Sequence, residues 1–220
     1  MLDILIYSYL IFPVLLLFLK ARLKETFFLM LVLYGLVFFT LIFVNDLVPR
    51  DIKKYYHAFY TLLEYAFFTL IFWANIKNKT FRRLVFAVSA LFLVFELYFV
   101  SNTDAQRLDS IPIGIETILI FIYIFCFFFD FSKNTKDTFI YNHYCFWLSV
   151  GILIYLGGSF FYYILVNDLE EKDVIKFGNM TYIAEIIKNL LFCVAVFMYK
   201  KFPINKINNH HKNIPNLDMI

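Results

Sequence analysis

The chain has 220 residues, of which 62% are hydrophobic, 22% aromatic and only 17% charged, and its formal net charge is +3. A water-soluble domain is nearer half apolar and a quarter charged, so this composition excludes an ordinary soluble globular domain and gives no ground for a nucleic-acid partner. The solvent it implies is the lipid bilayer, and six Gly and five Pro leave room for long, little-interrupted helices.

Hydropathy predicts seven spans, each near the roughly 20 residues that cross a hydrocarbon core. The first covers 2–19, with a kink expected at Pro13. Asp3 stands where a cleavable signal would carry positive charge, and no small-x-small site follows the apolar run, so this reads as a retained span. The second covers 26–44, the third 55–74 and the fourth 81–100. The fifth, 111–129, is opened by Pro112, which a helix tolerates in its first turn. The sixth covers 140–166 and the seventh 178–199. The expected fold is therefore all-α: a polytopic seven-transmembrane-helix bundle over 1–204, followed by a disordered cytoplasmic tail over 205–220. Cys126, Cys145 and Cys193 are odd in number and lie in apolar segments, so they read as small buried hydrophobes.

Lys and Arg set the orientation. Thirteen lie after spans one, three, five and seven: Lys20, Arg22, Lys24, Lys77, Lys79, Arg82, Arg83, Lys133, Lys136, Lys200, Lys201, Lys206 and Lys212. Six lie on the opposite side: Arg50, Lys53, Lys54, Arg107, Lys172 and Lys176. This asymmetry predicts the N-terminus outside and the C-terminus in the cytoplasm. The outer connection 167–176 is also acidic, with Asp168, Glu170, Glu171 and Asp173.

The informative residues are the ionisable ones inside the spans, because a charge at that depth costs a few kcal/mol or more without a partner or a watered cavity. Lys188 and Glu185 lie in the seventh span and Glu64 in the third. At matching depth, Glu64 and Lys188 are expected to pair across the bundle, with Glu185 three residues before Lys188 sharing it. His57, Thr61, Glu64 and Phe68 recur at helical spacing, with Tyr60 alongside. So do Gly151, Tyr155, Gly158 and Tyr162, and so do Thr181, Glu185 and Lys188, with Asn189 beside them. Such polar stripes face a bundle interior. Gly151, Gly157, Gly158 and Ser159 would let another helix approach closely.

Glu96 and Glu116 read as rim residues near the outer surface, and Tyr144 and Trp147 as anchors at the inner interface. The charged layer is placed in the outer half and the inner half is expected to be almost wholly apolar. Four carboxylates face one lysine and one histidine, so at least one is expected to carry a proton. The candidate ligand-binding set is Glu64, Lys188, Glu185, His57, Tyr60, Tyr155 and Glu116.

No phosphate loop, GxSxG or HExxH occurs, and His210 and His211 in the tail are too few for a metal site. No catalytic constellation and no metal are therefore expected. A seventh-helix lysine opposite a third-helix carboxylate resembles the microbial rhodopsins, whose lysine holds retinal as a Schiff base. Ala184 stands where those proteins usually carry Asp, and no Arg precedes Glu64, so neither retinal nor another cofactor is expected.

The segments HAFYTLLEY (57–65), SIPIGIETILIFIY (110–123), FWLSVGILIYLGGSFFYYI (146–164) and EIIKNLLF (185–192) resemble an uncharacterised family of bacterial seven-helix inner-membrane proteins associated with sensor histidine kinase systems. The resemblance covers most of the chain from about residue 26. It implies an inner-membrane location and a sensory or accessory role beside a separate signalling protein. It also puts His57, Glu64, Glu116, Tyr155 and Glu185 at family-like positions. The residues leave open two other roles, a small transporter or proton-coupled carrier and a purely structural membrane partner. They do not give the oligomeric state.

Overall fold

The computed structural model describes residues 1–18, 26–49, 51–102, 110–134, 139–165 and 170–202. The described chain is helical throughout, without a strand. Its helices are α1 (Leu2–Phe18), α2 (Thr26–Val44), α3 (Lys53–Asn75), α4 (Lys79–Asn102), α5 (Ser110–Asn134), α6 (Tyr144–Leu165) and α7 (Glu171–Lys201), with short 3-10 turns at Asn45–Leu47 and Ile140–Asn142. The tail at 205–220 with its two histidines, Asp168, and the basic residues Lys20, Arg22, Lys24, Arg50, Arg107, Lys136, Lys206 and Lys212 lie outside the described residues.

Each predicted span coincides with one helix, and three boundaries need correction: the fifth helix runs on to Asn134, five residues past the predicted end. The sixth helix starts at Tyr144, not at 140, because the preceding residues turn as a 3-10 segment and His143 is extended. The seventh starts at Glu171, seven residues before the apolar run. Hydropathy cannot see that polar turn, yet Glu, Lys and Asp are acceptable helix residues and acidic groups suit a helix N-terminus. The acidic stretch from Glu171 is thus helical. α1 runs through Pro13 as one helix.

Five helices, α2, α4, α5, α6 and α7, are long and apolar enough to cross a membrane. α1 is apolar but has only 17 residues. α3 has 23 but carries Lys53, Lys54, His57 and Glu64. Large apolar side chains cover the outside of the helices, Phe18 being 81% exposed and Phe86 72%.

The packing order is simple. α1 touches α2 and α7, α2 touches α3, α3 touches α5 and α6, α5 touches α6, and α6 touches α7. These contacts close a ring of six helices. α4 lies outside the ring, against α3 and α5. The interior is aromatic: Tyr9, Phe12, Tyr34, Phe38, Phe68, Phe72, Tyr123, Phe127 and Phe192 are at most 1% exposed.

Gly35 brings α1 and α2 together. A Cβ there would lie 2.6 Å from Pro13 Cγ and 2.7 Å from the Tyr9 carbonyl oxygen. That carbonyl cannot receive the usual i+4 bond, because Pro13 has no N–H. Gly35→Ala should therefore push α1 from α2 and destabilise the fold by about 1–3 kcal/mol, as overpacking does. Thermal unfolding in detergent checks this, and an unchanged transition would show that α1 yields freely. Gly151 plays the equivalent part between α6 and α7, its virtual Cβ 3.2 Å from the Lys188 carbonyl oxygen, and Gly158 faces the Ala184 Cβ at 3.0 Å. Gly157 does not: its nearest neighbour is the Phe121 ring at 3.8 Å.

The end of the bundle where α4 begins is tied by polar bonds. Asp130, 3% exposed near the end of α5, accepts the backbone N–H groups of Lys77 (2.6 Å) and Asn78 (3.3 Å). Tyr144 is buried rather than an interface anchor: it donates to Asn75 Oδ1 at 2.6 Å and packs on Phe27 and Tyr199 with centroids 4.2 and 4.9 Å apart. Trp147 donates to the Tyr141 carbonyl at 2.8 Å. A further polar group links α3, α4 and α5, where the Tyr65 hydroxyl lies 2.8 Å from both Ser89 Oγ and the Tyr123 hydroxyl. This part of the bundle is therefore aromatic but not free of polar groups.

Candidate functional site

The site is built around Lys188, whose side chain is fully buried. Its ammonium lies 3.7 Å from Glu64 Oε1 and 3.6 Å from Glu185 Oε1. The expected cross-bundle pair is therefore present, and Glu185 shares the lysine from one turn earlier. Lys188 Nζ also donates to the Tyr34 hydroxyl at 2.7 Å and to the Tyr9 hydroxyl at 3.1 Å. Tyr9 in turn donates to Glu185 Oε1, and Tyr155 donates to Glu64 Oε2 at 3.0 Å. The Tyr155 ring lies under the ammonium at 4.0 Å from its centroid, and the rings of Tyr9 and Tyr34 are 5.1 and 5.3 Å away. One ammonium is thus held by two carboxylates, two hydroxyls and the electron-rich faces of aromatic rings, each a favourable partner for a desolvated cation.

These partners come from five helices: Tyr9 from α1, Tyr34 from α2, Glu64 from α3, Tyr155 from α6 and Glu185 from α7 with Lys188. Local sequence explains the convergence. Thr61, Glu64, Phe68 and Phe72 are buried along one face of α3. Thr181, Ala184, Glu185, Lys188, Asn189, Phe192 and Cys193 are buried along α7. Beside the network, Asn189 Nδ2 donates to Ser8 Oγ at 2.7 Å, a second tie between α7 and α1.

Next to the network lies a cavity of about 460 Å³. Its lining runs from the starts of α1, α3, α5 and α7 and the ends of α2 and α6 inward to Glu64, Glu185 and Tyr155. Of the seven candidate residues, Glu64, Glu185, His57, Tyr60, Tyr155 and Glu116 line this cavity, and Lys188 lies behind it, against Glu64 and Glu185. The structure brings all seven together.

Two expectations about carboxylates are overturned. Glu96 and Glu116 are not rim residues: they are 0% and 2% exposed. Glu116 lies on the buried stripe of α5 with Pro112, Ile120, Tyr123, Ile124 and Phe127, and Glu96 lies on the buried stripe of α4 with Val85 and Phe92. Both stripes could have been read from helical spacing, which outweighs nearness to a helix end. Tyr9 and Tyr34 were missed altogether. Their helices are apolar on every side, so no amphipathic face marks an inward direction. The available signal was Lys188 itself, whose ammonium has three N–H donors to place inside the bundle.

Tyr155→Phe keeps the ring beneath Lys188 and deletes the hydroxyl on Glu64. It should cost about 1 kcal/mol, the scale of a hydrogen bond between membrane helices. Tyr155→Leu should cost more, by the lost cation–π contact. Unfolding in detergent separates the two, and equal losses would show that the ring contributes nothing. Comparison of the chain with protein-family models, curated proteins and solved structures finds no match.

Proposed function

We propose that this chain is a seven-span protein of a bacterial inner membrane, N-terminus outside and C-terminus cytoplasmic, acting as an input or accessory component of a signalling system rather than as an enzyme. Five long apolar helices and the apolar outer faces support membrane insertion, with α1 and α3 completing the ring. The positive charge after spans one, three, five and seven supports the orientation. The sequence resemblance to a family associated with sensor histidine kinases supports the signalling role. A separate membrane or cytoplasmic protein would provide the output, since the connections between helices are short.

The observation that carries this reading is continuity between cavity and network. Glu64, Glu185 and Tyr155 line the cavity and also hold Lys188. A small ligand or proton that alters charge in the cavity therefore alters the contacts joining five helices. Differential affinity for two helix packings is all that a population shift requires. Beyond the network, buried Phe12, Phe68, Phe72, Phe127 and Phe192 fill the interior, which favours sensing over passage of a solute.

The test uses paired spin labels at the first turns of α1 and α3, beside the cavity, read with and without a change of external pH or solute. Wild type should shift its distance distribution and Glu64→Gln should not. Identical behaviour of the two, with both folded, would sink the proposal. Solute or proton flux in liposomes that is abolished by Glu64→Gln would replace sensing by transport.

A further inference from the structure

We infer that the cavity is a site for a protonated organic amine, whose ammonium would sit between Glu116 and the Glu64–Glu185 pair, with its carbon skeleton against tyrosine rings. This rests on the ligand-responsive reading above and names the ligand's chemical class. Three carboxylates line the cavity: Glu64, Glu116 and Glu185. Lys188 is shared by two of them. Glu116 is 2% exposed, and its Oε1, fully shut off from solvent, makes no hydrogen bond among the described residues. A buried acceptor left in this state is costly unless something not in the chain supplies the donor.

Lys53 and His57, in the first two turns of α3, also line the cavity, and neither forms an ion pair among the described residues. Along the helix they lie about 16 and 10 Å from Glu64, so they serve the mouth rather than the floor. Deep in the cavity, three carboxyl groups thus share the single ammonium of Lys188, and Glu116 has room for a second one from outside.

The surroundings decide which cation. No group of three His, Cys, Asp or Glu side chains stands at metal-holding spacing among the described residues. The cavity's 460 Å³ falls within the roughly 300–1,000 Å³ of small-molecule sites and is far larger than a single ion needs. Tyr56, Tyr60, Tyr155, Tyr162, Tyr163 and Tyr182 all line it. Carboxylates with tyrosine rings are the set that recognises an ammonium on an apolar skeleton. The protein already uses this chemistry once, for the ammonium of Lys188, held by Glu64, Glu185 and the Tyr155 ring. The cavity offers the same elements, a carboxyl in Glu116 and tyrosine rings in its wall, to an ammonium that arrives by diffusion.

The experiment measures binding of 2-phenylethylamine to the full chain in nanodiscs by thermal shift and calorimetry. Uncharged 2-phenylethanol serves as the shape control, and methylamine and spermidine extend the range of size. Amines should raise the unfolding temperature with saturable concentration dependence, and 2-phenylethanol should not. Glu116→Gln should weaken amine binding about tenfold or more, as loss of one charge-assisted hydrogen bond does. Tyr60→Leu should weaken it less. Equal stabilisation by 2-phenylethanol, unchanged affinity in folded Glu116→Gln, or no binding by any amine in the series would overturn the inference. If amines fail while the α1–α3 label distance still responds to external pH, this inference falls and the sensory reading stands. If neither occurs, both fall.

Discussion

Lys188→Met should destabilise the folded chain by about 3–5 kcal/mol, the cost of stranding a buried charge by removing its partner. The substitution leaves Glu64 and Glu185, 4% and 5% exposed, facing one another with no cation between them. It also removes the donor to Tyr9 and Tyr34, so the damage reaches α1 and α2. Methionine matches the length of the lysine stem, so packing loss contributes little. The decisive control is the triple variant Lys188→Met, Glu64→Gln, Glu185→Gln, which removes the stranded charges and should recover most of the loss. Reversible unfolding in detergent or bicelles gives the comparison. A single variant as stable as wild type, or a triple no better than the single, would show that the network holds nothing together.

The second large effect is expected at the opposite end of the bundle. Asp130→Ala should cost about 2–4 kcal/mol, because two backbone N–H groups lose one charged acceptor. Those amides belong to Lys77 and Asn78, in the connection that turns α3 into α4. Hydrogen exchange at Lys77 and Asn78 should accelerate, while amides of α7 around Lys188 keep their protection. Unaltered exchange at the connection would mean that the turn is held by something other than Asp130. Comparing the two variants also separates stability from signalling: Asp130→Ala weakens the fold and leaves the cavity lining intact.

Five of the helices were legible because an apolar run of about 20 residues is a strong signal that needs no tertiary information; α1 is shorter and α3 more polar, and their apolar runs still marked them. The Glu64–Lys188 pair was legible for a related reason: a bilayer makes an ionisable group expensive, so two of opposite sign at one depth find each other. Three things were not. The polar first turns of α7 escaped because hydropathy registers the membrane, not the helix. Burial of Glu96 and Glu116 escaped because closeness to a span's end was weighed above the face each occupies. Tyr9 and Tyr34 escaped because α1 and α2 are uniformly apolar and only their partner reveals which side turns inward.

The ring of six helices closes between its first and last members, and the last carries the lysine. During synthesis α1, α2 and α3 leave the ribosome long before α7, since the chain emerges from its N-terminus. Glu64 must then wait without its counter-ion until α7 has been made as far as Lys188. A nascent chain halted before residue 188 would display that lone carboxylate, a mark by which quality control could tell an unfinished bundle from a finished one.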